Sequence, residues 1–380
     1  MDSKIVLESG VCLMKVTPFT LERFFSQTEF NVRYHLAASA IQAWSLRELL
    51  SLANDPDLQF SLFATRLGYT EPEGIPELRR EITRLYSGPT DPDHVFVTIG
   101  AIEANYLLLS TLLEPGDRFI VQTPYYQQLT QVGIDLGATP LLWHYREDKG
   151  FDIQELEELL DHKPALVMLN TPHNPTGFVF SSNEMRQIAD LCLERGVYLL
   201  SDEVYRELGE TLLPSMRDYS SQAVSIGSMS KSYGLAGLRV GWMVGPPEII
   251  ARCAAKRDYT SLCPPSIGQH LAFTALRHRT KIWSRNRQLR LRNITILENA
   301  FRQDPTFRWQ KSEAGVVAWV GYTPKIPSEQ LGWELHRRGV LIAPGIFFGE
   351  EGHFRLGFGG NSCELEAGLA ILVDYFKTID

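Results

Sequence analysis

Lys231 sits in Ser228-Met229-Ser230-Lys231, followed by Gly234 and Gly237 and, eight residues on, by Arg239. A primary amine in this setting could form an imine with a carbonyl compound. The two hydroxyls and the arginine could bind a phosphate, the arginine in bidentate fashion. The glycines would let backbone approach a ligand closely. Read alone, the stretch is equally well a polar loop with a solvated lysine. A second cluster, Ser201-Asp202-Glu203-Val204-Tyr205, follows an apolar run. Asp202 could pair with a protonated ring nitrogen, which keeps such a ring an electron sink. Tyr205 could hydrogen-bond a ring oxygen. Helix capping is the competing reading of Ser or Asp before Glu.

Four further stretches carry suitable side chains. Asn170-Thr-Pro-His173-Asn174-Pro-Thr-Gly177 contains turn residues, yet turn chemistry does not explain two asparagines flanking Pro-His. Asn174 could donate to a ring oxygen, with His173 either supporting the site from behind or merely structural. Gly100-Ala101-Ile102 lies between a strand pattern and a helix pattern, where free backbone N–H groups make an anion site. Tyr126, after Pro124-Tyr125, could stack on an aromatic ring. Arg355 lies in the apolar run His353-Phe-Arg-Leu-Gly357. A buried arginine needs a partner, and a substrate carboxylate or a structural acid would serve.

These residues need a scaffold. Between about 93 and 245, strand-like runs at 94–98, 119–122, 140–144, 165–169, 197–201, 223–227 and 240–244 alternate with helical patterns at 101–113, 126–136, 153–160 and 183–195. Such alternation predicts an α/β fold with a mainly parallel sheet flanked by helices. Ligands of such sheets bind where strands end in loops. After 245 the pattern changes to helices at 249–257, 266–277 and 281–301. Strand-like runs at 316–321, 340–343 and 354–358 follow, mixed with helices at 328–338 and 363–377. Both chain ends therefore predict a smaller α+β domain. The expected division is 1–60 for the N-terminal segment and part of the small domain, 61–280 for the large domain, and 281–380 for the small C-terminal domain.

Composition bounds the partners. Net charge is −8 over 380 residues, with no basic tract for nucleic acid and no apolar run of membrane-spanning length. The five cysteines (Cys12, Cys192, Cys253, Cys263 and Cys363) are scattered, which fits a reducing cytoplasm and no zinc or other metal site. Met1 to Lys15 lacks a basic region before an apolar stretch, so no secretory leader is expected.

The order of the motifs decides among these readings. The series Tyr69…Gly74, Gly100-Ala101, Tyr126, Asn174-Pro-Thr-Gly177, Asp202…Tyr205, Ser228-x-Ser230-Lys231, Arg239 and Arg355 resembles the fold type I pyridoxal-phosphate enzymes, class I/II aminotransferase branch. The resemblance implies pyridoxal 5′-phosphate bound by Lys231 as a Schiff base. It implies Asp202 at the ring nitrogen, Asn174 and Tyr205 at the phenolic oxygen, and Tyr126 stacked on the ring. Gly100, Ala101, Ile102, Ser228, Ser230 and Arg239 would hold the phosphate, and Arg355 the substrate α-carboxylate. Tyr69 would reach the neighbouring subunit's phosphate, which implies a homodimer with shared sites.

The N-terminal stretch Leu21-Glu22-Arg23-Phe24-Phe25-Ser26, with Asn31-Val-Arg-Tyr-His35-Leu36, is similar to an arginine-modifying, capreomycidine synthase-like subgroup of this family. That likeness implies a cyclodehydratase converting a hydroxylated L-arginine, such as the 4-hydroxy form, to a cyclic guanidino amino acid such as L-enduracididine. A guanidinium needs an acid, and Glu22 is the candidate, ahead of Glu350-Glu351. A solvent-facing helix glutamate is the alternative role for Glu22. Asn174 would also face the substrate, and His35 could assist departure of the hydroxyl. Two other functions compete. One is an aminotransferase with a 2-oxo acid acceptor; the other is a pyridoxal-phosphate-sensing regulator. Only about sixty residues precede the first shared motif, and they hold no basic recognition helix.

Overall fold

The computed structural model describes residues 16–88, 90–302 and 304–379. Met1 to Lys15, on which the leader expectation and Cys12 fall, lie outside them. An eight-stranded sheet forms the centre. Its spatial order is Val95–Thr98, Gly241–Val244, Val224–Ser228, Tyr198–Asp202, Leu166–Asn170, Arg118–Thr123, Thr139–Arg146 and Gly150–Phe151. The strands from Val224–Ser228 to Thr139–Arg146 pair in parallel. Gly241–Val244 runs against both its neighbours, and Gly150–Phe151 runs against Thr139–Arg146. The expected mainly parallel sheet is therefore present.

Val95–Thr98, Leu166–Asn170 and Val224–Ser228 are buried at every position, because helices cover both faces. One face packs on Gly100–Leu112 and Pro247–Arg257 through Leu107, Leu108 and Ile250. The other packs on Ile153–Leu160 and Ser182–Arg195 through Leu156, Ile188 and Trp143.

A second sheet has the order Phe307–Trp309, Val317–Tyr322, His353–Gly357 and Ala343–Pro344, all antiparallel. Helices Arg279–Phe301 and Ser362–Phe376 cover it. The single strand expected at 340–343 is two short ones. Val340–Leu341 pairs in parallel with Tyr34–His35, and Ala343–Pro344 pairs with His353–Gly357. The chain's early part thus joins its late part, and helix Thr20–Thr28 buries Leu21 and Phe24 beside Leu341, Ala343 and Phe348. Leu46–Ala53, Leu58–Phe63, Pro76–Thr83 and Phe307–Trp309 lie outside the expected runs, although Leu46, Leu49, Leu50 and Ala53 fall at helical spacing.

Candidate active site

The loops after the parallel strands converge on a cavity of about 220 Å³, lined among others by Ser39, Asn105, Asn174, Asp202, Tyr205 and Lys231. Lys231 follows strand Val224–Ser228, and its Nζ donates to Ser39 Oγ at 2.8 Å. Burial, then Arg355, pushes its ammonium down to about 8, against the opposing pull of Glu22 and Asp202. A primary amine in this range is free to act as nucleophile and base near neutrality.

Asp202 ends strand Tyr198–Asp202 and is buried. Its Oδ2 accepts from Asn105 Nδ2 at 2.8 Å, and its Oδ1 accepts from the Val204 N–H at 3.3 Å. Burial raises its carboxyl above the usual range, while these two donors and Lys231 pull it back. Asn170 Nδ2 donates to the Asp202 carbonyl at 3.0 Å, and Asn170 Oδ1 accepts from the Asn174 N–H at 2.7 Å. Asn170 thereby ties two strand ends together. His173 is buried; its Nδ1 lies 2.8 Å from Thr176 Oγ1, and burial pushes its imidazole down to about 3, so it is neutral and structural.

One end of the cavity is built for an anion. Gly100 opens helix Gly100–Leu112 at φ +75°, and a Cβ there would lie 2.9 Å from Arg239 Nη2. Ala101, Ile102, Ser228, Ser230 and Arg239 line this end. Ser228 Oγ accepts from the Ser230 N–H at 3.0 Å, which fixes the hydroxyl loop. The close approach comes from Gly241, where a Cβ would meet the Ala101 nitrogen at 2.5 Å. Gly234, at φ +68°, packs on the Gln42 carbonyl, and a Cβ on Gly237 would meet no protein atom within 4 Å.

Arg355 is buried, with Nη1 on Asn174 Oδ1 at 3.0 Å and Nη2 on the Ala37 carbonyl at 2.9 Å. Both partners are neutral, and Nε has none. The structural acid that could have explained this arginine is therefore missing among the described residues. Glu22, on helix Thr20–Thr28, turns inward rather than to solvent: its Oε1 accepts from Tyr126 OH at 3.1 Å. Burial, then Glu22, holds the Tyr126 hydroxyl well above its usual range.

The remaining expected residues lie elsewhere. His35 Nε2 sits 3.2 Å from Glu29 Oε1 and Nδ1 accepts from the Ala37 N–H, so both ring nitrogens are engaged outside the cavity lining. Glu351 Oε2 accepts from the Ser328 N–H at the start of helix Ser328–Arg337, and Glu350 faces His353. Tyr69 is 86% exposed and away from the cavity. A larger cleft of about 740 Å³, beside Glu147, Arg308, Trp309 and Trp319, touches Thr176 of the Asn174–Gly177 motif and gathers none of the residues expected to bind cofactor or substrate.

Ser39 and Asn105 are among the lining residues that escaped the sequence reading. Ser39 gave no signal inside Ala37-Ala-Ser-Ala40. Asn105 did give one: an amide among Ala104, Leu107 and Leu108 on a buried helix face.

Pyridoxal phosphate fits this cavity. It has an anion cradle at one end, an acid at the other and an amine between them. Tyr205 OH and Asn105 Oδ1 are buried without protein partners. Comparison with known proteins agrees. The model of a family described as aminotransferase class I and II matches residues 39–372. Capreomycidine synthase of Streptomyces vinaceus is 29% identical over 365 residues, covering 94% of this chain and 93% of its own. The arginine–pyruvate transaminase AruH of Pseudomonas aeruginosa is 30% identical, covering 86% of this chain and 89% of its own. The structure of the PLP-dependent cyclase OrfR superposes with a TM-score of 0.89 at 28% identity, covering 97% of this chain and all of that one.

Proposed function

This chain belongs to the class I and II aminotransferase family and is a pyridoxal-phosphate enzyme, and from that premise we propose that it closes a hydroxylated L-arginine, such as 4-hydroxy-L-arginine, to a cyclic guanidino amino acid with loss of water. One observation carries the substrate class. Glu22 hydrogen-bonds Tyr126 at the cavity and acts electrostatically on both Lys231 and Arg355. A carboxylate held opposite a buried arginine suits a substrate with an acid at one end and a guanidinium at the other. The similarity to capreomycidine synthase and to a PLP-dependent cyclase supports the same class.

In this reading Lys231 holds the cofactor's carbonyl carbon. Asp202 faces the ring nitrogen, Tyr205 and Asn174 face the ring hydroxyl, and Tyr126 lies against the ring. Gly100, Ala101, Ile102, Ser228, Ser230 and Arg239 hold the phosphate. When bound, the cofactor draws electrons from the substrate carbon that bears the amino group. Arg355 exchanges its contact with Asn174 for the α-carboxylate, and Glu22 takes the guanidinium. With both ends held, the chain bends and brings a guanidine nitrogen toward the γ-carbon. Lys231 takes the α-proton and returns it. A β-proton is lost and later returned, the C–O bond at the γ-carbon breaks, and the hydroxyl leaves as water with the proton that the attacking guanidine N–H gives up as the C–N bond forms there. No amino acceptor is consumed.

Incubation with 4-hydroxy-L-arginine is expected to give a product one water lighter, with no 2-oxo acid, as read by mass spectrometry. A second reading, transamination of arginine to a 2-oxo acid acceptor, is favoured by the likeness to AruH. Pyruvate-dependent consumption of arginine, with alanine formed and no dehydrated product, would overturn cyclisation and establish that second reading. A homodimer with Tyr69 in the neighbour's site and a cytoplasmic location complete the proposal; among the described residues no helix is long and apolar enough to cross a membrane.

A further inference from the structure

The acid at the ring end of the cavity is held in an unfavourable place. Asp202 is 6% exposed, and burial favours its neutral form. A neutral carboxyl could not stabilise a positive ring nitrogen. No lysine or arginine hydrogen-bonds it among the described residues. Its shorter hydrogen bond comes from an amide, Asn105 Nδ2, at 2.8 Å, and the Val204 N–H is longer at 3.3 Å. Asn105 is itself 2% exposed, and its Oδ1 has no partner. The Asp202 contact alone therefore sets which way the amide points.

We infer that Asn105 is a positioning residue that keeps Asp202 ionised and aimed, and so sets the charge of the cofactor's ring. The chemistry of the alternatives explains why an amide suits this place. A cation there would neutralise Asp202 and repel a protonated ring. An apolar side chain would leave Asp202 to take up a proton. An amide donates a hydrogen bond and adds no charge. The same helix presents Gly100 to the anion cradle five residues earlier, about 7.5 Å along its axis. One rigid element thus spaces the two ends of the site. This inference rests on the family's cofactor and holds whichever amino acid is turned over.

The test uses the cofactor-loaded enzyme. A proton on the ring repels the proton on the linkage to Lys231, so loss of ring charge raises the pH midpoint of that linkage's visible absorbance. Asn105→Leu keeps the shape and removes the donor. Its midpoint is expected to rise by about one unit or more. Solvent deuterium exchange at the substrate α-carbon is expected to fall roughly 10- to 100-fold with KM little changed. Asn105→Ser, which puts a shorter hydroxyl donor in place of the amide, is expected to move both in the same direction by less. In an Asp202→Asn background, Asn105→Leu is expected to add nothing further. A midpoint that stays within 0.2 unit of the parent, about the limit set against a shift worth 1.36 kcal/mol per unit, overturns the inference. So does an effect of equal size without Asp202. Failure of 4-hydroxy-L-arginine to cyclise bears on the substrate alone and leaves these optical readouts in force.

Discussion

At the scale of single residues the site runs on burial. Lys231 ordinarily titrates near 10.5, and the fold brings it to about 8 chiefly by desolvation. The consequence for stability has a definite sign. Between about 8 and 10.5 the unfolded chain binds a proton that the folded chain has released, so stability rises with pH across this window. Below about 8 both states carry the proton and the penalty of burying it is fully present, on the order of 3 kcal/mol. Lys231→Met keeps the apolar stem and removes the charge. Cofactor-free Lys231→Met protein is therefore expected to be more stable than the parent at pH 7, with the gap closing toward pH 10.5, in urea denaturation followed by circular dichroism. A gap that is the same at both ends of the window would show that packing, not charge, separates the two proteins. Arg355 is the companion case. Burial lowers its pKa too, and its hydrogen bonds go to neutral groups, so no anion is hydrogen-bonded to its charge and Glu22 acts on it only through space. That state is costly in the folded chain and is relieved by an anionic ligand.

At the scale of elements, much of the architecture was readable. The seven strand runs between 94 and 244 fall within one or two residues of the observed strands, because strands buried on both faces read as short apolar runs between glycines and prolines. Helix Ile153–Leu160 shows a plain apolar period with Asp152 as its cap. Lys231, Asp202, Asn174, Gly100 and Arg239 were legible because their order along the chain is specific; four of them line one cavity, and Gly100 packs against Arg239. Ser39 was not, since a small polar residue among alanines has no pattern; only tertiary contacts place it. Three of those contacts fix the segment from Leu36 to Gln42. The Gly357 N–H donates to the Leu36 carbonyl, the Gln42 N–H to the Gly359 carbonyl, and Arg355 to the Ala37 carbonyl. Gly357 is the tightest point, where a Cβ would overlap the Ala38 carbonyl oxygen. Gly357→Ala is expected to cost about 1–3 kcal/mol through overpacking and to withdraw Ser39 from Lys231. Gly360→Ala, where a Cβ meets nothing, is the matched control. Thermal unfolding and the pH midpoint of the loaded enzyme check both. Equal behaviour of the two variants would mean that the segment is not held by this contact.

At the scale of the whole molecule, two kinds of surface remain to be explained. The seam between the two sheets is bridged by Arg355 to Asn174, and by His353, whose Nε2 lies 2.9 Å from Glu147 Oε1. Those contacts are internal. Outside, Phe60, Phe63, Leu67, Tyr69 and Tyr259 are large and exposed, Tyr259 at 92%. Gln269 Nε2 donates to Thr70 Oγ1 and to the Pro264 carbonyl, which fixes the Leu67–Tyr69 stretch beside the segment that follows Tyr259. Exposed apolar residues of this size suit an interaction surface. In the proposed homodimer a second copy covers them, and each Tyr69 completes the other copy's anion cradle. A two-fold interface of this kind makes a sharp demand on mixed dimers. Lys231→Ala removes the amine from its own site, and Tyr69→Ala weakens the site of its neighbour. In a mixed dimer both lesions fall on the same site, leaving the other intact. The two variants, unfolded together and refolded at equal concentrations, form mixed dimers as half of the population, and the intact sites of these are expected to contribute about a quarter of the parent's activity. Lys231→Ala refolded alone is expected to recover none, and Tyr69→Ala alone only its weakened rate. If Tyr69 acts within its own subunit, both sites of every mixed dimer are damaged and mixing restores nothing, so the absence of recovery would remove the shared site while leaving the cavity around Lys231 as described.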